Sequence, residues 1–126
     1  MKHRTALSHD QYLENLVTHL NLVGEKREEI SWIIKDGIWM YDNSVQYHKL
    51  ADLICVYQHP YVSAIELKGS KGQRTKAKKQ LDSTAQFIND ILGIHDFGLK
   101  IVYYTNGNYS FENIKAYKGL SYTRKK

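Results

Sequence analysis

Asp52, Glu66 and Lys68 are two carboxylates and an ammonium group whose spacing could bring them together at one end of a β-hairpin. Two carboxylates are hard oxygen ligands, and Mg²⁺ or Mn²⁺ accepts one or two of these while keeping waters and a substrate phosphate in its shell. A cation held this way acidifies a bound water and polarises a phosphoryl oxygen. A neighbouring lysine orients the water or offsets charge building on the phosphate. The chemistry is that of phosphodiester hydrolysis. The competing reading is an ordinary surface charge cluster, worth about 0.2–1 kcal/mol.

The hairpin follows from counting. Ala51 to Tyr57 and Tyr61 to Lys68 are β-branched and apolar runs separated by Gln58-His59-Pro60, the pattern of two strands joined by a short loop. If those three residues form the loop, Tyr57 pairs with Tyr61 and Asp52 falls opposite Glu66. Cβ atoms of directly opposed residues are about 4.5–5.5 Å apart on one sheet face. Side chains alternate with period two, so Lys68 shares the face of Glu66 while Leu67 points to the other. A loop one residue longer or shorter would separate the two acids. Val62, Ala64 and Ile65 on one strand, and Leu53 to Val56 on the other, read as buried on both faces. Charges at the end of such strands are costly unless paired or bound to a cation.

Size and composition limit the alternatives. The 126 residues, 42% hydrophobic, suit a single domain over 1–126, with one core and no repeats. Lysine and arginine total 18 against 13 acids, a formal charge of +5 and a pI near 9.2, a balance suited to a polyanionic partner. Lys68, Lys71, Arg74, Lys76, Lys78 and Lys79 lie in one stretch without an acid. Lys71 to Lys79 are thus candidates to hold nucleic-acid phosphates, against the commoner reading of a solvated helix face. Cys55 is the sole cysteine, which excludes internal disulfides and cysteine zinc clusters. No apolar stretch approaches membrane-spanning length and Met1-Lys2-His3-Arg4 is not followed by the apolar core of a signal peptide, so the expectation is a soluble, cytoplasmic protein with no membrane partner. None of His3, His9, His19, His48, His59 and His95 forms a helical i, i+4 pair. They read as surface or loop positions, with His48 a neighbour of the site by its distance from Asp52.

The remaining elements must position the trio. Ser8 and Gln11 resemble a capping box, and Leu13, Leu16, Val17 and Leu20 then recur at helical spacing to about Val23. Glu14 lies about 100° round that helix from Leu13, at the margin of the apolar stripe, where it reads as a solvent-facing glutamate or as one reaching the edge of a cleft. Glu25 to Glu29 read as a charged connection. Asp36-Gly37, between Ser31 to Lys35 and Ile38 to Tyr41, predicts a tight hairpin, and its tryptophans Trp32 and Trp39 read as core or edge packing, with base stacking open to an exposed ring. Asp42 to Leu50 reads as a polar loop. A second helix is expected from about Gln73 to Leu92 through Ala77, Leu81, Ala85, Ile88 and Leu92, with Gln80 on its flank either a candidate to face the cleft or a plain surface glutamine. Leu99 to Thr105 is an interior strand, Asn106-Gly107 a turn, and Asn108 to Tyr117 a last strand-like segment. The tail from about 118 reads as basic and mobile. The order α-β-β-β-β-α-β-β is that of an α/β domain with a mixed central sheet flanked by helices.

An early helix, three strands, a helix and a further strand, with Asp on an inner strand and Glu-x-Lys on the next, resembles the PD-(D/E)XK nuclease superfamily. The resemblance spans roughly Ser8 to Thr105, departing where Ala51 replaces the motif proline and lacking the serine-bearing glycine-rich loop of archaeal resolvases. It implies a restriction endonuclease-like fold and an Mg²⁺- or Mn²⁺-dependent nuclease. The expected substrate is DNA, structure-selective cutting such as Holliday-junction resolution is within range, and a homodimer is one assembly. On this resemblance Asp52 and Glu66 hold the metal, Lys68 is catalytic, Glu14 matches a first-helix acid that adds a metal ligand, and Gln80 matches a catalytic glutamine on the following helix. The alternatives are a nucleic-acid-binding module that kept the fold without catalysis, and a basic interaction protein in which the trio is splayed apart.

Overall fold

Ser8 closes a capping box: its hydroxyl accepts from the Gln11 N–H at 3.1 Å, and its own N–H donates to the Gln11 side chain at 2.8 Å. Two donors that a helix start leaves orphaned are satisfied together, and helix α1 runs from His9 to Val17. It stops short of Val23. The Thr18 hydroxyl donates to the Asn15 carbonyl at 2.8 Å, a local bond that competes with the helix ladder. A 3₁₀ turn, Leu20–Val23, then carries the chain to Gly24 at φ 84°. The apolar stripe survives the break, since Leu13, Leu16, Leu20 and Val23 are all buried.

The computed structural model describes residues 7–40, 47–58, 61–105 and 107–115, with the side chains of 38–40, 47 and 48 left aside. The strands are β1 Ile30–Lys35, β2 Ile38–Met40, β3 Tyr47–Lys49, β4 Leu53–Tyr57, β5 Val62–Lys68, β6 Phe97–Thr105 and β7 Asn108–Lys115, with helix α2, Arg74–Asp90, between β5 and β6. Five strands form one sheet in the order β1-β4-β5-β6-β7, and β2 pairs with β3 in a separate ribbon. β5 and β6 are parallel, and the other neighbours in the large sheet are antiparallel. α2 supplies the crossover that a parallel pair requires. Mixed α/β architecture is therefore the observed class, with one strand more than expected: β3 lies inside the segment read as a polar loop.

The Asp36-Gly37 hairpin is not formed. β1 pairs with β4, while β2 pairs with β3. Asp36 adopts φ 54°, its N–H donates to the Asp52 carbonyl at 2.9 Å, and the Leu50 N–H donates to the Gly37 carbonyl at 2.9 Å. The turn peels the chain off the sheet and ties it to the start of β4. A Cβ on Gly37 would lie 3.0 Å from Ile34 Cγ2 and 3.1 Å from Leu50 Cδ1, so glycine permits this close approach. The physical reason is burial: β1 gains more by covering the apolar strand β4 than by folding back on the three-residue β2.

The continuous apolar runs of β4, β5 and β6 are explained by cover on both faces. Leu53, Cys55, Ile65, Leu67 and Val102 pack with Leu13, Leu16 and Leu20 on the α1 side. Ile54, Val62, Ala64, Leu99 and Ile101 pack with Ala77, Leu81 and Ile88 of α2 on the other. Burial pushes the Cys55 thiol well up from its ordinary value, as suits a core residue. Trp32 is not a core residue: it is 62% exposed on edge strand β1, the exposed ring that the sequence left open.

A buried ionic cluster ties the loop after α1 to the sheet. Glu25, which opens the charged connection read from the sequence, accepts from the Tyr57 hydroxyl at 2.5 Å, the Ser63 hydroxyl at 2.7 Å and Lys100 Nζ at 2.6 Å. Lys100 also donates to the Val23 carbonyl and lies 4.8 Å from the centre of the Phe111 ring. Among the described residues no helix is long and apolar enough to cross a membrane. The basic tail from about 118 and the end of the last expected strand lie outside the described residues.

Candidate active site

Register decides whether the acids meet. Leu53 pairs with Ile65, Ile54 with Ala64, Cys55 with Ser63 and Val56 with Val62, and the Tyr57 N–H donates to the Tyr61 carbonyl at 3.1 Å. The same register carried one residue further sets Asp52 against Glu66. The two are cross-laced: the Asp52 N–H donates to Glu66 Oε1 at 3.1 Å, and the Leu67 N–H donates to Asp52 Oδ2 at 2.8 Å. Lys68 Nζ stands 3.4 Å from Glu66 Oε2. The trio is thus assembled and not splayed apart.

Asp52 is 2% and Glu66 4% exposed. Burial, and then the nearby Asp52 carboxylate, push the Glu66 carboxyl up from 4.5 to about 7, against the pull of the Asp52 N–H and Lys68. Two acids crowded in a dry site favour keeping a proton on one of them unless a cation takes its place. That is the electrostatic condition of a divalent site, and Asp52 and Glu66 fit Mg²⁺ or Mn²⁺ as a two-carboxylate set completed by waters and substrate. Among the described residues no group of three or more His, Cys, Asp or Glu side chains is gathered for a metal.

The segment that delivers Asp52 is held from two sides. Asp36 and Gly37 fasten it to the end of β1, as described above. From α2, the Thr84 hydroxyl accepts from the Ala51 N–H at 2.7 Å and donates to the Gln80 carbonyl at 2.9 Å. The Gln80 amide donates to the Lys49 carbonyl. Gln80 was expected to face the cleft; its side chain instead braces the strand leading to Asp52.

Glu14 is also placed elsewhere. Its carboxylate pairs with Lys35, and its side chain is 68% exposed. The group that α1 brings to Asp52 is His9, with Nε2 3.4 Å from Asp52 Oδ2 and its ring 6.0 Å from that of Tyr104. Tyr104 in turn stacks on Tyr12 at 4.0 Å. His48, the histidine singled out by proximity in sequence, has its side chain outside the described residues, as do His3 and His59.

Of the basic residues, Lys76, Lys78 and Lys79 are exposed on α2. Lys71 precedes the helix in a 3₁₀ turn, Lys71–Gln73, and Arg74 is engaged by Glu112 at 2.7 Å. Sequence reasoning missed His9 and Thr84. Thr84 left a trace, because a hydroxyl on the buried stripe of a helix needs a partner. His9 left none, being 43 residues from Asp52 in the chain.

Compared with protein-family models, curated proteins and solved structures, the chain finds no match.

Proposed function

We propose that this protein is a metal-dependent nuclease of the PD-(D/E)XK superfamily, with a restriction endonuclease-like core, hydrolysing phosphodiester bonds in DNA. The observation that carries the reading is the buried, cross-laced Asp52 and Glu66 pair with Lys68 beside it. A second observation supports it. With the β2–β3 ribbon set aside, the elements run helix, three strands, helix, strand, with Asp52 at the mouth of the second of those strands and Glu66-Leu67-Lys68 closing the third.

Asp52 and Glu66 would hold the ion, which when bound supplies an acidified water and a Lewis acid for the phosphoryl oxygen. The Leu67 and Asp52 amides fix one oxygen of each acid, so the pair needs little rearrangement to bind. Lys68 orients the attacking water and offsets charge on the phosphate as it becomes five-coordinate. His9 sets the outer edge of the site against Asp52. Lys76, Lys78 and Lys79 hold the backbone without reading sequence.

The rival is a nucleic-acid-binding module on the same fold, and one observation favours it: the expected third acid, Glu14, pairs with Lys35 on the surface and does not join Asp52 and Glu66. Labelled duplex, branched and single-stranded DNA, each with and without Mg²⁺ or Mn²⁺, separates the two. The nuclease requires cation-dependent cutting that falls at least about a hundredfold in Asp52→Ala and Lys68→Ala. Cutting that survives Asp52→Ala belongs to a contaminant and ends the proposal. Firm binding with no cutting under either cation establishes the module.

A further inference from the structure

The sheet face that carries Glu66 and Lys68 continues across β6 and β7. Glu66 is in register with Ile101 and Lys68 with Tyr103, and Ile101 is in register with Glu112. Residues in register share a face, and strands lie about 4.8 Å apart, so Glu112 stands roughly 10 Å from Glu66 across the sheet. Its carboxylate is gripped there. Arg74 Nε donates to Oε1 at 3.1 Å and to Oε2 at 2.9 Å, Arg74 Nη2 reaches Oε2 at 2.7 Å, and the Tyr103 hydroxyl donates to Oε1 at 3.0 Å. Lys71 Nζ is 6.0 Å from the centre of the Tyr103 ring.

Several donors converging on one anion from a guanidinium fork and a hydroxyl suit a phosphate as well as a carboxylate. The Arg74 and Glu112 side chains are 45% and 32% exposed, so the fork is open to solvent and to an anion of matching bidentate geometry. An incoming anion can therefore exchange with Glu112 without unfolding anything. The chain from Lys68 runs directly through Lys71 to Arg74, so the cluster adjoins the proposed catalytic end of β5.

We propose that Arg74, Lys71 and the Tyr103 hydroxyl form a subsite for a DNA backbone phosphate near the scissile bond, and that Glu112 occupies it in the free protein as an internal competitor. The location relative to a scissile bond rests on the nuclease reading; the exchange of Glu112 for phosphate does not.

The test is fluorescence anisotropy of labelled duplex and single-stranded oligonucleotides without divalent cation, over a range of salt. Glu112→Gln should bind roughly fivefold tighter, the size of one modest charged contact. Its log–log salt slope on duplex should steepen by about 0.9, the value for one more neutralised phosphate. Arg74→Gln alone should weaken binding, because the phosphate loses its guanidinium fork while the Glu112 charge stays, and Arg74→Gln combined with Glu112→Gln should lose the gain. Glu28→Gln makes the same charge change at an exposed position on another element and should leave the slope unaltered. The proposal falls if Glu112→Gln matches Glu28→Gln in affinity and slope, if the gain survives in the double variant, or if Glu112→Gln only lowers the melting temperature. Should Glu112→Gln fail to fold, Glu112→Asp, which shortens the reach by one methylene, must tighten binding or the subsite is abandoned. Tightening in a protein that cuts no DNA keeps the subsite and overturns the nuclease reading alone.

Discussion

Glu66 is held where an ionised carboxylate is least stable, and that makes the site testable by pH. Its folded value of about 7 stands above its ordinary 4.5. Between those values the folded state keeps a proton that the unfolded state has lost, so stability falls as pH rises through this window. Below about 4.5 the penalty is absent and above about 7 it is complete, on the order of 3 kcal/mol. Denaturant unfolding without metal should show this fall, Glu66→Gln should flatten it, and saturating Mg²⁺ should restore stability at pH 8. Mg²⁺ affinity should rise across the same window as the competing proton leaves. A flat profile in the unmodified protein would remove the electrostatic case for a cation.

Helix α2 does more than cover the sheet. Its Thr84 and Gln80 hold the segment from Lys49 to Ala51 that leads into Asp52, so the helix sets the position of an acid it does not carry. Thr84→Val keeps the shape and removes the hydroxyl, leaving the buried Ala51 N–H without its acceptor. The expected cost is about 1–3 kcal/mol in unfolding free energy, with a loss of cation-dependent cutting larger than the unfolded fraction explains. Thr84→Ser should recover both. Equal stability in Thr84→Val would show that Ala51 finds another partner.

At the scale of the molecule, Glu25 and Lys100 link the loop after α1 to three strands of the sheet, and they do so through burial. Removing one member of a buried pair strands the other's charge. Lys100→Met should therefore lower unfolding free energy by about 3–5 kcal/mol, while the folded fraction keeps the Mg²⁺ affinity of the unmodified protein. Unfolding measured by circular dichroism and cation binding measured on the folded protein separate these two effects.

The capping box at Ser8, the stripes of both helices, the interior strands and the opposition of Asp52 to Glu66 were all legible in the chain. Each follows from local periodicity or from a loop length that counts residues across a hairpin. The α1 break at Thr18, the unformed Asp36-Gly37 hairpin and strand β3 were not. The α1 break comes from a local hydroxyl bond, Thr18 to the Asn15 carbonyl, that apolar periodicity does not register. In the other two a local preference gave way to a partner elsewhere in the fold: Asp36-Gly37 has strong turn chemistry, but β4 offers β1 more apolar surface to cover. The surroundings of the site were equally hidden. His9 beside Asp52, Thr84 on Ala51, Glu112 on Arg74 and Glu25 on Lys100 join residues far apart in the chain. The sequence alone determined which groups could do chemistry and their register on one hairpin, because hairpin geometry is local. Only the tertiary structure decided which charges are buried, which are already partnered and which remain exposed, because those depend on packing between segments that no local pattern relates.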